Sequence, residues 1–403
     1  PVLLMALLGA RLVVCRWSVL RTDERYLAFT LVFLAAWLPV LASWPDSLSP
    51  DATARIALNH LRFLFAGLFI IHALDTAVAQ RRLLQWCGWL LILWIADALI
   101  QWIFGRNLLG FSPLAGRING VFGHSGFMLG IAVGVFAGLA VEYARRTWGI
   151  RGAIVIAASA TTVILLAGSR ASWIGLGALA LGYLIALWWR TRRIPWRTVA
   201  TLGVVLLAGV LVLYQASPTF ASRFATSWDV LSGKGDPVND SVRHRLWIWG
   251  VAARTAWDNP VNGVGARAFR HAYDGYTTKD DPYLAIDPPQ RPTHTHQLWM
   301  EVMAETGSIG VVGMALFHWL LLRRFLLASP NVRERMFPFA LCLLVAYFPF
   351  NTHLALYSAF WSQILWWLAA LYLAASGAGA QAARADGARA TPASARATAE
   401  PRM

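Results

Sequence analysis

Charge is scarce in this 403-residue chain, and lysine is scarcer still. Only 14% of the residues are charged, against 58% apolar and 13% aromatic, which excludes an ordinary soluble globular composition. Of 35 basic residues, only Lys234 and Lys279 are lysine. A formal charge of +15 would suggest nucleic acid if it were gathered on one polar face. The arginines instead cluster in short links between apolar runs, so nucleic acid is not an expected partner. Cys15, Cys87 and Cys342 lie in or beside apolar segments with no CxxC spacing. They read as small apolar side chains rather than as a disulfide framework.

Apolar runs near bilayer-crossing length recur along most of the chain. They predict an all-α polytopic membrane protein with segments at 1–15, 26–44, 57–77, 84–104, 123–143, 152–168, 171–190, 198–216, 307–322, 336–351 and 355–375. The links alternate in character. Arg16/Arg21/Arg25, Arg81/Arg82, Arg145/Arg146/Arg151, Arg190/Arg192/Arg193/Arg197 and Arg323/Arg324/Arg333/Arg335 fill every second link. The positive-inside rule puts these five in the cytoplasm. The links at 45–56, 105–122, 169–170, 217–306 and 352–354 then face outward. The chain opens at Pro1 inside an apolar run without an initiator Met, so a preceding N-terminal portion is expected. One further helix would make twelve, with both ends inside. The Ala/Arg/Gly-rich tail at 376–403 has no apolar periodicity and reads as a disordered cytoplasmic segment. The organisation is therefore 1–216 membrane helices, 217–306 outward loop, 307–375 membrane helices, and 376–403 tail.

A loop as long as 217–306 needs a purpose. Its basic residues and aspartates nearly balance, so positive groups are available locally without a large net field. Asp240-Ser241 starts a predicted helix running to about Trp257, ended by Asn259-Pro260, and Gly263-Val264-Gly265 leads into a second around Ala266–Tyr273.

Four outward residues, three arginines and a histidine, carry the candidate chemistry. Arg170, after Gly168-Ser169, sits where the positive-inside rule predicts no arginine. Headgroup snorkelling is its bland reading, and ligand binding the sharper one. Arg245, in Arg243-His244-Arg245-Leu246, suits bidentate contact with phosphate oxygens, although alone it would read as a solvated loop arginine paired with Asp240 or Asp236. Arg117 is a weaker outward candidate. His296 stands at the water-facing side of the apolar run that follows Gly307, with His294 and Gln297 beside it as candidate substrate contacts, as Arg117 is. A neutral imidazole there suits acceptance of a hydroxyl proton, and helix capping is the structural alternative. The His294/His296 spacing is also one that binds zinc, but the outward loops offer no third ligand at a recognisable spacing and no D-x-D motif. No metal and no cofactor are expected. Two or three outward arginines could neutralise a diphosphate leaving group while a histidine deprotonates an attacking alcohol, which fits transfer from a lipid diphosphate.

His296-Gln297, nine residues, then Gly307-x-x-Gly310 resembles the signature of the bacterial O-antigen ligases. Arg117-x-x-Gly120-x-Phe122, Gly168-Ser169-Arg170, Arg245-x3-Trp249 and Pro260-x-x-Gly263-x-Gly265 agree with the wider ligase/polymerase superfamily, and the likeness spans roughly 110–320. The resemblance implies a fold of the glycosyltransferase C type, with about 11–12 transmembrane helices and one large periplasmic loop. It implies transfer of polysaccharide from undecaprenyl diphosphate to lipid A–core oligosaccharide at the periplasmic side of the inner membrane. The transfer would be inverting and metal-independent, with His296 as base and Arg170 and Arg245 on the diphosphate. Membrane lipids are the remaining partner. O-antigen polymerase and protein O-oligosaccharyltransferase share the motifs and differ in acceptor. A small-anion transporter built around Arg170 is a different class, but the chain shows no broken helices in two repeated halves.

Overall fold

The computed structural model describes residues 1–125, 128–193, 196–232, 241–281, 283–284, 291–351 and 355–377. The cap expected at Asp240 and the tail beyond 377 lie outside them. The described residues form helices and no strand. The membrane-protein core comprises α1 (Val2–Cys15), a short α2 (Trp17–Thr22), α3 (Glu24–Ala42), α4 (Pro50–Ala73), α5 (Ala77–Phe104), α6 (Met128–Leu166), α7 (Arg170–Thr191) and α8 (Trp196–Ala216). The long link holds α9 (Pro218–Leu231), α10 (Ser241–Asp258) and α11 (Phe269–Tyr276), after which α12 (Leu298–Leu327), α13 (Pro330–Ala346) and α14 (Ala359–Ala375) return to the bundle. The starts follow local chemistry. Asp23 accepts the Arg25 N–H at 2.9 Å, Thr76 Oγ1 that of Ala79 at 3.2 Å, and Ser358 Oγ that of Trp361 at 3.1 Å, each satisfying a donor the first helical turn leaves open. Pro50 and Pro330 open α4 and α13, where a missing N–H costs nothing.

Six helices are long and apolar enough to cross a membrane: α3, α4, α5, α6, α7 and α12. Every expected apolar segment falls on a helix, and two of them, 123–143 and 152–168, fall on α6. A straight 39-residue helix would be about 58 Å long. Yet a Cβ placed on Gly130, near its start, would lie 2.9 Å from the Cβ of Ala167, just past its end. The helix therefore doubles back at Gly149, whose φ of 71° breaks it, and α6 is two antiparallel spans. The chain is a multi-pass, all-α membrane protein. Sequence periodicity did not anticipate α2 or α9, and it began α12 at Gly307 rather than at Leu298.

The arginine-bearing links gather at one end of the bundle through carboxylates. Arg25, 4% exposed, is held by Asp23 and Asp75. Arg324 pairs with Glu24 at 2.8 Å. Glu334 joins Arg145 to Arg190, and its carbonyl accepts from Arg146 at 2.6 Å. Five links expected on one side thus share one end, and the long loop lies at the other. At the arginine end, the buried Glu142 carboxylate is met by Arg145 at 2.9 Å and, more distantly, by Arg146 at 3.9 Å. Removing one member of such a buried pair typically costs about 3–5 kcal/mol. Arg145→Ala is expected to lower the apparent unfolding temperature of the purified protein by several degrees, and adding Glu142→Gln should recover part of it. A double variant less stable than the single one would refute the pairing.

Candidate active site

The second broken helix builds the site. At Gly307 of α12, φ is 60° and ψ −157°, a backbone that side chains with a Cβ rarely adopt. A break inside a helix leaves carbonyls before it and amides after it without partners. The segment Pro260–Gly265 supplies both kinds. Ser308 and Ile309 donate to the carbonyls of Pro260 and Val261 at 2.8 and 3.1 Å, while Val264 and Gly265 donate to the carbonyls of Ala304 and Glu305 at 3.0 and 2.9 Å. The two backbones run so close that a Cβ on Gly263 would meet Thr306 N at 2.5 Å, and one on Gly307 would meet Asn262 N at 2.6 Å. Gly310 makes room for the residue before the break, since a Cβ there would lie 2.7 Å from that of Thr306. Gly149-x-x-Gly152 uses the same device at the other end of the bundle, with Gly152 clearing Trp148. The paired glycine motifs of the two distant stretches are thus the two sides of one interlock.

Two glutamates that sequence reasoning passed over complete it. Glu305 is fully buried and accepts the main-chain N–H groups of Arg267 at 2.6 Å and Phe269 at 3.3 Å, fixing the start of α11. Glu301, also buried, accepts from Leu356 N at 2.8 Å and ties in the loop before α14. The legible signal was two acids inside an otherwise apolar helix, where burial without partners is too costly to persist. A small second core of Ile248, Val251, Ala252, Phe269, Tyr273 and Ala304 packs α10 and α11 onto the first half of α12. Segment 264–266 is also bound from the α3–α4 link and the first turn of α4: Leu48 N–H donates to Val264 O at 2.9 Å, and Thr53 Oγ1 to Ala266 O at 2.9 Å.

This frame positions the histidine. Trp249 Nε1 donates to Thr295 O at 3.0 Å. Arg245, four residues earlier on α10, shares its helix face, which explains the Arg245-x3-Trp249 spacing. His296 follows Thr295 with φ 55°, outside the range most side chains favour. Such strain costs about 1–3 kcal/mol and tends to collect at functional sites. Its Nδ1 is buried with no hydrogen-bond partner among the described residues, and its ring lies 4.0 Å from that of His294. Burial pushes the His296 imidazole down to about 4, and the Arg245 charge adds to that effect. Arg245 in turn is lowered first by burial and then by the charge of Arg170, which opens α7. The structure therefore brings together Arg170, Arg245, His294 and His296. Gln297 caps α12, with Oε1 accepting from Met300 N at 2.5 Å and Nε2 donating to Pro349 O at 2.7 Å, so capping falls to Gln297 rather than to His296. Arg117 closes a tight turn with Leu114 on the α5–α6 link, which Gln101 and Asp97 hold in place. Among the described residues, no three His, Cys, Asp or Glu side chains gather as a metal set.

The arrangement can do one kind of chemistry well. It offers a neutral imidazole beside two cations, ready to take a proton while an anion forms next to the arginines. If the interlock sets this geometry, Gly263→Ala and Gly307→Ala should raise amide hydrogen exchange across both 260–269 and 293–309 in the folded protein. Exchange that rose only around the substituted residue would show the two segments to be independent.

No curated protein matches the chain. Residues 152–315 match the family model described as O-antigen ligase. The match starts in the second half of α6, takes in Arg170, Arg245 and His296, and runs past the Gly307 break, leaving the Arg117 motif outside it. Arg170, Arg245, His294 and His296 thus all lie in the part of the chain that is similar to the O-antigen ligase family.

Proposed function

We propose that this protein is an O-antigen ligase of the bacterial inner membrane, transferring polysaccharide from undecaprenyl diphosphate to lipid A–core oligosaccharide on the periplasmic side. One observation carries the reading: a half-buried, uncharged histidine stands beside two arginines at the bundle end opposite the arginine-rich links. That placement supports a periplasmic site under the positive-inside rule.

The step is a single displacement without metal. The acceptor hydroxyl attacks the anomeric carbon of the first sugar, and His296 takes the hydroxyl proton as the new C–O bond forms. The bond from that carbon to the diphosphate oxygen breaks, and its electron pair leaves with undecaprenyl diphosphate. Arg170 and Arg245 stabilise the charge that develops there. Attack opposite the leaving group inverts the anomeric centre. A polymerase would use the same donor site with a second lipid-linked glycan as acceptor. The single dominant outward loop favours the ligase.

His296→Ala is expected to lower transfer by about 10²–10⁴-fold in a purified assay with lipid-linked donor, and full activity would rule out the base. The pH profile gives a finer test. Because burial, and after it the neighbouring Arg245 cation, disfavours the imidazolium, the acid limb of kcat/KM should lie well below pH 6.5, near the His296 value of about 4. Arg245→Gln should move that limb upward and raise the donor KM together. A limb that stayed in place would separate Arg245 from the base. Mass spectrometry of lipopolysaccharide from cells lacking the protein distinguishes the acceptors. Loss of long glycan from lipid A–core, with lipid-linked polymer still accumulating, is the ligase outcome.

A further inference from the structure

Two cations near the base have no part in this scheme. Arg270, in the first turn of α11, donates from Nη2 to Thr293 O at 3.3 Å. Thr293 Oγ1 lies 3.0 Å from His294 Nδ1, and the His294 ring lies 4.0 Å from that of His296. Arg270 is thus linked to the base through Thr293 and His294, whereas Arg245 reaches it from α10. Its Nε is buried with no hydrogen-bond partner among the described residues. Arg267, three residues earlier, has φ 66° and is held there by the bond from its N–H to Glu305. Its guanidinium makes no hydrogen bond or ion pair among the described residues.

The nearby acids offset this pair only in part, the Glu305 charge acting on both arginines and that of Glu301 on Arg267. Both Glu305 oxygens accept main-chain N–H groups, and Asp274 is taken by Arg291 at 2.6 Å. Burial lowers Arg270 and the charge of Arg267 lowers it further, and the opposing charge of Glu305 does not restore it. Like charges three residues apart, one on a strained backbone, are unfavourable until an anion lies between them.

We propose that Arg267 and Arg270 form an acceptor subsite that binds an oxyanion, a carboxylate or phosphate ester, on the saccharide whose hydroxyl His296 deprotonates. This rests on the glycan-transfer reading above and adds the chemical class of the acceptor. The donor diphosphate is matched by Arg170 and Arg245, and a second cation pair is redundant unless the acceptor is also acidic. An uncharged protein hydroxyl would have no use for it.

The test uses the full-length protein in nanodiscs, with acidic lipid A–core and with the same glycolipid after dephosphorylation and carboxyl reduction. Arg267→Gln/Arg270→Gln is expected to raise the KM for the acidic acceptor about tenfold or more, the loss of one charge-assisted hydrogen bond. Donor KM and the slower reaction with the neutralised acceptor should stay unchanged, and Arg270→Lys should recover part of the loss. Equal losses on both acceptors would assign the arginines a purely structural role and overturn the subsite, as would no loss at all. A second arm offers a lipid diphosphate-linked glycan as acceptor. If only that one is used, the ligase reading fails, while its KM in the variants still decides the subsite. If neither is turned over, titration of wild type and variant with soluble acidic core oligosaccharide decides, and equal binding refutes the proposal.

Discussion

The exchange of main-chain hydrogen bonds between the broken helix α12 and Pro260–Gly265 is the contact on which the site depends. Inside a membrane protein an interrupted helix must find partners for its freed amides and carbonyls, and here one loop segment provides both. A flexible feature becomes a joint, because each backbone fills the bonding positions the other exposes. Everything functional hangs from that joint. The half of α12 before the break starts right after His296, and the loop that fills the break leads back to α10 with Arg245 and forward to α11 with Arg270. The buried carboxylate of Glu305 adds two more main-chain bonds to the same seam.

This joint explains why glycines recur in the long link and in α12. Spacing alone presents Pro260-x-x-Gly263-x-Gly265 and Gly307-x-x-Gly310 as separate motifs some forty residues apart. Their common cause is steric. At Gly263 and Gly307 two main chains approach too closely for a Cβ on either side, while Gly265 clears Ser47 and Thr53 and Gly310 clears Thr306. The same spacing at Gly149 and Gly152 makes a hairpin between two spans, with no catalytic residue near it. The motif is therefore a way to break a helix, and its chemical meaning comes from what is placed beside it.

Much of this was legible beforehand. Apolar runs and alternating arginine links located the spans and the shared end of those links, because bilayer thickness and charge asymmetry act on local sequence. Arg170 and His296 stood out for a related reason, since a charge or imidazole at the far end of a hydrophobic run is conspicuous, whereas Arg245, in the polar link, stood out only because Arg170 shares its side. What stayed hidden depends on distant partners. Helical periodicity began α12 at Gly307, since a half-helix holding Glu301 and Glu305 looks like a polar loop until the acceptors of Arg267, Phe269 and Leu356 are known. Gln297 looked like a substrate contact, but its side chain is committed to a cap and a tether. Helix α9 lay unseen in a link whose polar composition does not separate a surface helix from a turn.

The depressed basicity of His296 has a consequence for the order of events. An imidazolium there faces burial and the field of Arg245, so the His296 ring holds no proton at neutral pH. A bound diphosphate cancels part of that field. Under the proposed scheme the donor thereby raises the proton affinity of the group that accepts the acceptor's proton. Under this scheme the base is dormant until its leaving group is in place, and the arginines act as an interlock in time: they withhold general-base catalysis from any hydroxyl, water included, that arrives before the lipid-linked sugar.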